Sequence, residues 1–397
     1  MGLAQRIILV TISFLIVLSE PVQSHLPQYD PSLRRPSRIW NDFPLNAEHT
    51  SPHPNDLSRV GKWPWGVCES LALIDSNHVI IGNGELLQIL NIAETTEPSV
   101  ISELELCGTI TDITVHAQYA YAVGANNDLD IIHLQDLTNP RIVGHWTNSS
   151  PVQSFYFQVL HDKRDLPYLY LGGTLFTILD ISVPSKPEVI AEKNLNPSYI
   201  WLDMEGYSDA QDKFFVYGSN SEGLWLEIFD VTDPETPISY PTSMPSPLGL
   251  CIINNHLYVG SYNQIRVFSL FDPASPTAVS TVSVPPIPYE LETDGEYLYA
   301  GLLDSDIVDS IRVLQLDLTD PVDPIVIDSD SWPGPGPSNF PNNWMGEIAA
   351  FDQNVFVAST IAIWALNFAH TGRSKTAWYF PTGYRTYGIA HHGNLAF

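Results

Sequence analysis

Aromatic and acidic residues recur where short inner segments of this chain begin. They are Trp63 and Trp65, Tyr156, Tyr199 with Trp201 and Asp203, Tyr289 with Glu290, Trp344 with Glu347, and Tyr387. Aromatic faces stack on sugars and attract cations, and carboxylates hold ammonium or guanidinium groups. The set therefore suits a carbohydrate, a cationic peptide or an amine. For any one of these residues, packing between neighbouring elements is the plainer reading. The carboxylates of Asp203, Glu290 and Glu347 also suit a lyase or glycoside hydrolase, where hydrolysis needs a pair about 5–10 Å apart. A second acidic group, Asp304, Asp306 and Asp309, offers hard oxygen ligands to Ca²⁺. It lacks the glycine and closing glutamate of an EF-hand loop, and a solvated acidic turn is the plainer reading. No zinc-type His/Cys spacing, nucleophile elbow or phosphate-binding glycine loop is present, so no other cofactor is implied.

The elements that must position these residues are short strands in a repeating unit. In Leu224–Pro247 alternating Leu, Trp, Leu, Ile and Phe give strand periodicity, and Asp230-Val231-Thr232-Asp233-Pro234 makes a tight turn. The lead-in Phe214-Phe215-Val216-Tyr217-Gly218 ends in the residue that a hairpin turn wants. Copies follow the same order around Asp136 and Pro140, Asp180 and Pro184, Asp272 and Pro273, and Asp317 and Pro321. These prolines stand 39 to 50 residues apart, with three or four strands per unit, which is the signature of a β-propeller. The repeated aspartates Asp136, Asp180, Asp230 and Asp317 cap their own turns, since one active site does not need a copy in every unit.

The pattern Tyr-hydrophobic-Gly, a Gly/Asn loop, then hydrophobic-Asp-hydrophobic-Ser/Thr-Asp-Pro-x-x-Pro resembles the LVIVD repeat of secreted and surface proteins of bacteria and archaea. It runs over roughly residues 57–397. The first copy, Asn91-Ile92-Ala93-Glu94, and the seventh, Asn367-Phe368-Ala369-His370, lack the Asp-Pro core. The resemblance implies an all-β fold, a single propeller of seven or eight four-stranded blades, and an extracytoplasmic location. It implies little about activity, because the family is defined by its repeat.

Residues 1–24 read as a signal peptide, with Arg6, an apolar run from Ile7 to Leu18 and a Val22-Gln23-Ser24 cleavage site. That run is short for a membrane span, and no later segment looks like one. Residues 25–55 read as a Pro-rich lead-in and 56–397 as the propeller, with residues 56–62 expected to complete the last blade. An eighth copy begins at Tyr384 and stops within a second strand. This predicts either a chain continuing past Phe397 or a tail overlapping the first blade. The net charge of −28 argues against nucleic acid. Three cysteines, Cys68, Cys107 and Cys251, leave at least one unpaired within the chain. Cys68 with Cys107 is the pair that could meet, although buried thiols fit better. The reading is a secreted, periplasmic or cell-surface monomeric propeller that binds extracellular protein or carbohydrate, without catalysis of its own.

Overall fold

The computed structural model describes residues 66–93, 98–106, 108–124, 128–148, 158–173, 175–194, 201–220, 225–240, 242, 247–303, 310–333, 345–359, 362–369, 376–382, 391–392 and 395–396. All lie within the unit Lys62–Phe397. The regular elements among them are strands. Blade 1 is β1 (Cys68–Asp75), β2 (His78–Asn83), β3 (Leu86–Asn91) and β4 (Ser99–Glu105). Blade 2 is β5 (Ile110–His116), β6 (Tyr119–Gly124), β7 (Asp128–His133) and β8 (Arg141–Thr147). Blade 3 is β9 (Gln158–His161), β10 (Tyr168–Gly172), β11 (Leu175–Asp180) and β12 (Glu188–Asn194). Blade 4 is β13 (Trp201–Ser208), β14 (Phe214–Asn220), β15 (Leu226–Asp230) and β16 (Ile238–Tyr240). Blade 5 is β17 (Leu250–Ile253), β18 (His256–Ser261), β19 (Gln264–Ser269) and β20 (Thr277–Ser283). Blade 6 is β21 (Ile287–Thr293), β22 (Tyr297–Leu303), β23 (Ser310–Asp317) and β24 (Ile325–Pro333). Blade 7 is β25 (Met345–Phe351), β26 (Asn354–Ser359), β27 (Ala362–Asn367) and β28 (Thr376–Pro381). A short hairpin, β29 (His391–His392) with β30 (Leu395–Ala396), follows.

Each blade is an antiparallel sheet of four consecutive strands. The inner strands β1, β5, β9, β13, β17, β21 and β25 each touch the next, and β25 touches β1, so seven blades close the ring. The fourth place in blade 7 is filled by β28, so that blade is complete without a strand from residues 56–62, which lie outside the described residues. Strand β24, at nine residues, runs on to Pro333.

Seven apolar clusters hold the ring, each shared by two adjacent blades. Leu87 and Ile89 of blade 1 pack with Ile113 and Ile132 of blade 2. The same arrangement recurs round to Leu71 and Ile81 of blade 1 against Phe356 and Ile363 of blade 7. Burial is worth about 1.5–3 kcal/mol for each such aliphatic side chain. Ile113 and Ile348 of the inner strands pack between blades, while their neighbours Asp112 and Glu347 line the central cavity.

The turns explain the repeated sequence. Asp230 Oδ1 accepts from the backbone N–H of Thr232 at 3.0 Å and from its hydroxyl at 2.5 Å. Asp317 does the same for Thr319, and Asp180 accepts from the N–H of Ser182 at 2.7 Å. Asp136 also caps a turn, at the N–H of Thr138, but in a different register. Its carbonyl accepts from Asn139 as that of Asp233 accepts from Thr236, while His133 opposes Tyr119 as Asp180 opposes Tyr168. Asp136 and Pro140 therefore match Asp233 and Pro237, three residues later in the unit than Asp230 and Pro234, with which their sequence grouped them.

Candidate functional site

Five inner strands carry a β-bulge near the same point: Cys68/Leu71, Ile110/Asp112, Trp201/Asp203, Pro288/Glu290 and Met345/Ile348. A bulge re-aims side chains. Here the residue at the bulge and the one before it both face the channel. Asp112, Gln158, Asp203 and Glu290 hold equivalent places, each opposite the residue two beyond a central tyrosine of the second strand. Ser70, Gly249 and Glu347 fill that place in the other three blades. The ring thus reads Ser, Asp, Gln, Asp, Gly, Glu, Glu. Gly249 is required there, because a Cβ would lie 2.7 Å from the Tyr289 carbonyl oxygen and 2.8 Å from Glu290 Cα.

These residues surround a cavity of about 510 Å³, part of it open to solvent, lined by Glu69, Thr111, Asp112, Gln158, Asp203, Tyr289, Glu290 and Glu347 among others. Three of the acids clasp the next blade through the backbone N–H after its ring residue. Asp112 Oδ2 accepts from Val159 at 2.7 Å, Asp203 Oδ2 from Leu250 at 2.6 Å, and Glu347 Oε2 from Leu71 at 3.2 Å. Ser70 donates its hydroxyl to Glu347 Oε2 at 2.6 Å.

Burial pushes the Asp112 carboxyl up to about 7 against these hydrogen bonds. Burial also raises Asp203, with the charge of Glu205 adding to it, and Glu347, with Asp112 adding. Glu290 is raised by burial and then by Asp203, Glu347, Asp112 and Glu292, with no hydrogen bond among its main influences. Among the described residues it is the acid of the ring with no backbone clasp. One step deeper lie Glu205 and Glu292, the latter raised by burial to about 7. Lys163 Nζ reaches Glu205 Oε2 at 2.7 Å. Beyond them the rings of His116 and His161 stack at 4.4 Å.

Of the residues singled out from sequence, Asp203, Tyr289, Glu290 and Glu347 meet at this cavity, and Trp201 begins β13. Trp63, Trp65, Tyr156, Tyr199, Trp344, Tyr387 and the acids Asp304, Asp306 and Asp309 lie outside the described residues. Asp112, Glu69 and Gln158 were missed, because the search followed aromatic neighbours. The signal available was a polar residue immediately before the first interface residue of an inner strand, as Asp112 stands before Ile113 and Gln158 before Val159. Cys68 and Cys251 are buried free thiols, so Cys68 forms no bridge to Cys107, itself outside the described residues. Among the described residues no group of three or more His, Cys, Asp or Glu side chains is arranged to hold a metal ion, and no helix is long and apolar enough to cross a membrane.

A closed ring of seven four-stranded blades around a polar axis defines a β-propeller with an acidic channel. Within that class, residues 107–148 and 167–192 match the model of the LVIVD repeat, so the chain carries this repeat across its second and third blades. No curated protein matches the chain. Among solved structures, a functionally unknown protein from Desulfotomaculum acetoxidans aligns with a TM-score of 0.57 at 12% identity, covering 78% of this chain and 100% of that one. Sqt1 of Saccharomyces cerevisiae aligns at 0.54 and 10% identity, covering 82% and 87%. A hypothetical selenium-binding protein from Sulfolobus tokodaii aligns at 0.54 and 9%, covering 67% and 81%. At such identities the likeness is one of fold.

Proposed function

We propose that this is a secreted or cell-surface binding propeller whose central channel receives a cationic group, an ammonium or guanidinium, presented by a protein partner. The observation that carries the reading is the channel ring itself. Asp112, Asp203, Glu290 and Glu347 converge from four blades, and the described residues lining the cavity include no Lys, Arg or His. Burial raises the pKa of all four carboxyls, and neighbouring carboxylates add to it at Asp203, Glu290 and Glu347, so an incoming cation relieves their repulsion. Lys163 beside Glu205 shows how such a group is accommodated one step deeper. Tyr289 at the rim supplies an aromatic face.

Calorimetric titration of the full chain with an Arg/Lys tetrapeptide and with a neutral oligosaccharide tests this. The peptide should bind, at least tenfold tighter at pH 8 than at pH 5, and binding should weaken with salt and fall at least tenfold in Glu290→Gln. Undiminished peptide binding by that variant would remove the channel as the site. Binding of the oligosaccharide alone would move the ligand to carbohydrate. A second reading, a lyase or glycoside hydrolase, draws on the convergence of Asp203, Glu290 and Glu347 and on the raised carboxyl of Glu290, which suits a general acid. Appearance of shortened products from the oligosaccharide would favour it.

A further inference from the structure

Away from the channel, on the face of blade 2 that looks towards blade 1, three side chains stand in line. Asp130 on β7 is buried and lies directly across from His145 on β8. His145 Nδ1 is 2.8 Å from Asp130 Oδ1, and its Nε2 is 3.0 Å from Thr147 Oγ1. A carboxylate only accepts, so Nδ1 carries the proton and Nε2 presents its lone pair to the Thr147 hydroxyl. This is the relation of orienting acid, base and nucleophile found in acyl-transfer sites. The corresponding cross-strand pairs elsewhere are Gln88 with Glu103, Thr177 with Glu192, Arg266 with Thr281, Leu314 with Ser329 and Trp364 with Tyr379, none of which places a histidine between an acid and a hydroxyl.

The surroundings fit an acyl substrate. His145 and Thr147 are exposed, so a ligand can reach them. Asp130 also borders a small recess lined by Leu106, Ile110, Ala122 and Val123, so the acyl group would lie against the exposed face of β8 and not in a pocket. Strand β8 is the outer edge of its sheet, so alternate backbone N–H groups along it have no ladder partner and can face a developing oxyanion.

We propose that Asp130, His145 and Thr147 form a hydrolytic site for short-chain esters, separate from the channel. Thr147 Oγ1 adds to the ester carbonyl carbon while its proton passes to His145 Nε2. The C–O bond to the alcohol breaks, and the departing oxygen takes that proton. Water, deprotonated by His145, then adds to the acyl carbon. The bond to Oγ1 breaks, the proton returns to Thr147, and a carboxylic acid leaves. Asp130 acts through His145 as a positioning residue.

The test is labelling of the full chain with diisopropyl fluorophosphate, which loses fluoride to a nucleophilic oxygen, followed by intact mass and peptide mapping. The release of nitrophenol from p-nitrophenyl butyrate is measured alongside. The wild type should gain one phosphoryl adduct on Thr147. Thr147→Ala and His145→Gln should each lose the adduct and at least tenfold of the hydrolysis, with the melting temperature unchanged in Thr147→Ala, whose position is exposed, and with His145→Gln, which alters the partner of buried Asp130, still folding cooperatively. Thr147→Ser should keep both, and Asp130→Asn should shift the pH profile of labelling. Absence of an adduct on Thr147 in the folded wild type overturns the proposal. So does hydrolysis that survives Thr147→Ala but not His145→Gln, since the imidazole would then act alone.

Discussion

The tyrosine in the middle of the second strand does two things at once. Tyr217 and Tyr258 are fully buried, yet their hydroxyls reach across to the next blade, to the carbonyls of Pro273 and Pro321, each at 2.8 Å. In these two blades the hydroxyl fastens one blade to the turn of the next, whereas the equivalent Tyr170 and Tyr299 donate to Asp162 and Asp294 of their own blades. Tyr258→Phe should cost about 1 kcal/mol, the net worth of one hydrogen bond, measured by urea unfolding. Asp230→Ala should cost a similar amount by freeing both groups of Thr232, while Asp230→Asn retains an acceptor and most of the stability. Blade 5 tests that logic naturally. Ser269 and Phe271 replace the Asp and Thr, one weaker bond of 3.3 Å remains, and Phe271 is left 96% exposed. Such turns were legible in the sequence because every partner lies within two or three residues. The register of Asp136 was not, because Leu137 stands where other copies have proline, and proline had been the marker.

At the scale of strands and blades, the channel acids are set by where inner strands bulge and how closely they approach. Gly346 shows the tolerance, since a Cβ there would lie 2.4 Å from the Glu69 carbonyl oxygen. Gly346→Ala should push blades 7 and 1 apart and cost about 1–3 kcal/mol, seen as a lower unfolding midpoint. Leu71→Ala, at the same seam, removes a wholly buried side chain and should cost about 2–5 kcal/mol. Glu347, Glu290 and Asp203 could be found from sequence because acids beside aromatics stood out at strand starts. Asp112, in Thr111-Asp112-Ile113, has no such neighbour, and its role comes from meeting Val159 of the next blade, a contact between residues 47 apart in the chain.

For the whole molecule, the acids of the axis make stability depend on pH in the unusual direction. A carboxyl whose folded pKa is raised holds a proton that the unfolded chain has released between about pH 4 and the folded value. Stability from Asp112 and Glu292 is therefore present at low pH and is lost as pH rises towards about 7. The melting temperature should fall from pH 5 to pH 8, and Asp112→Asn should flatten that slope. A wild-type melting curve independent of pH across this window would contradict the assignment.

Six of the seven junctions join blades that follow one another in the chain, whereas the seventh brings Ser70 to Glu347, 277 residues apart. Loop-closure entropy makes that junction the last to form and, in a stacked array, the first to open. The native protein should therefore breathe at one place, as a bracelet does at its clasp. Amide hydrogen exchange should show it: Leu71, whose N–H is held by Glu347, should exchange well before Leu250, whose N–H is held in the same way by Asp203.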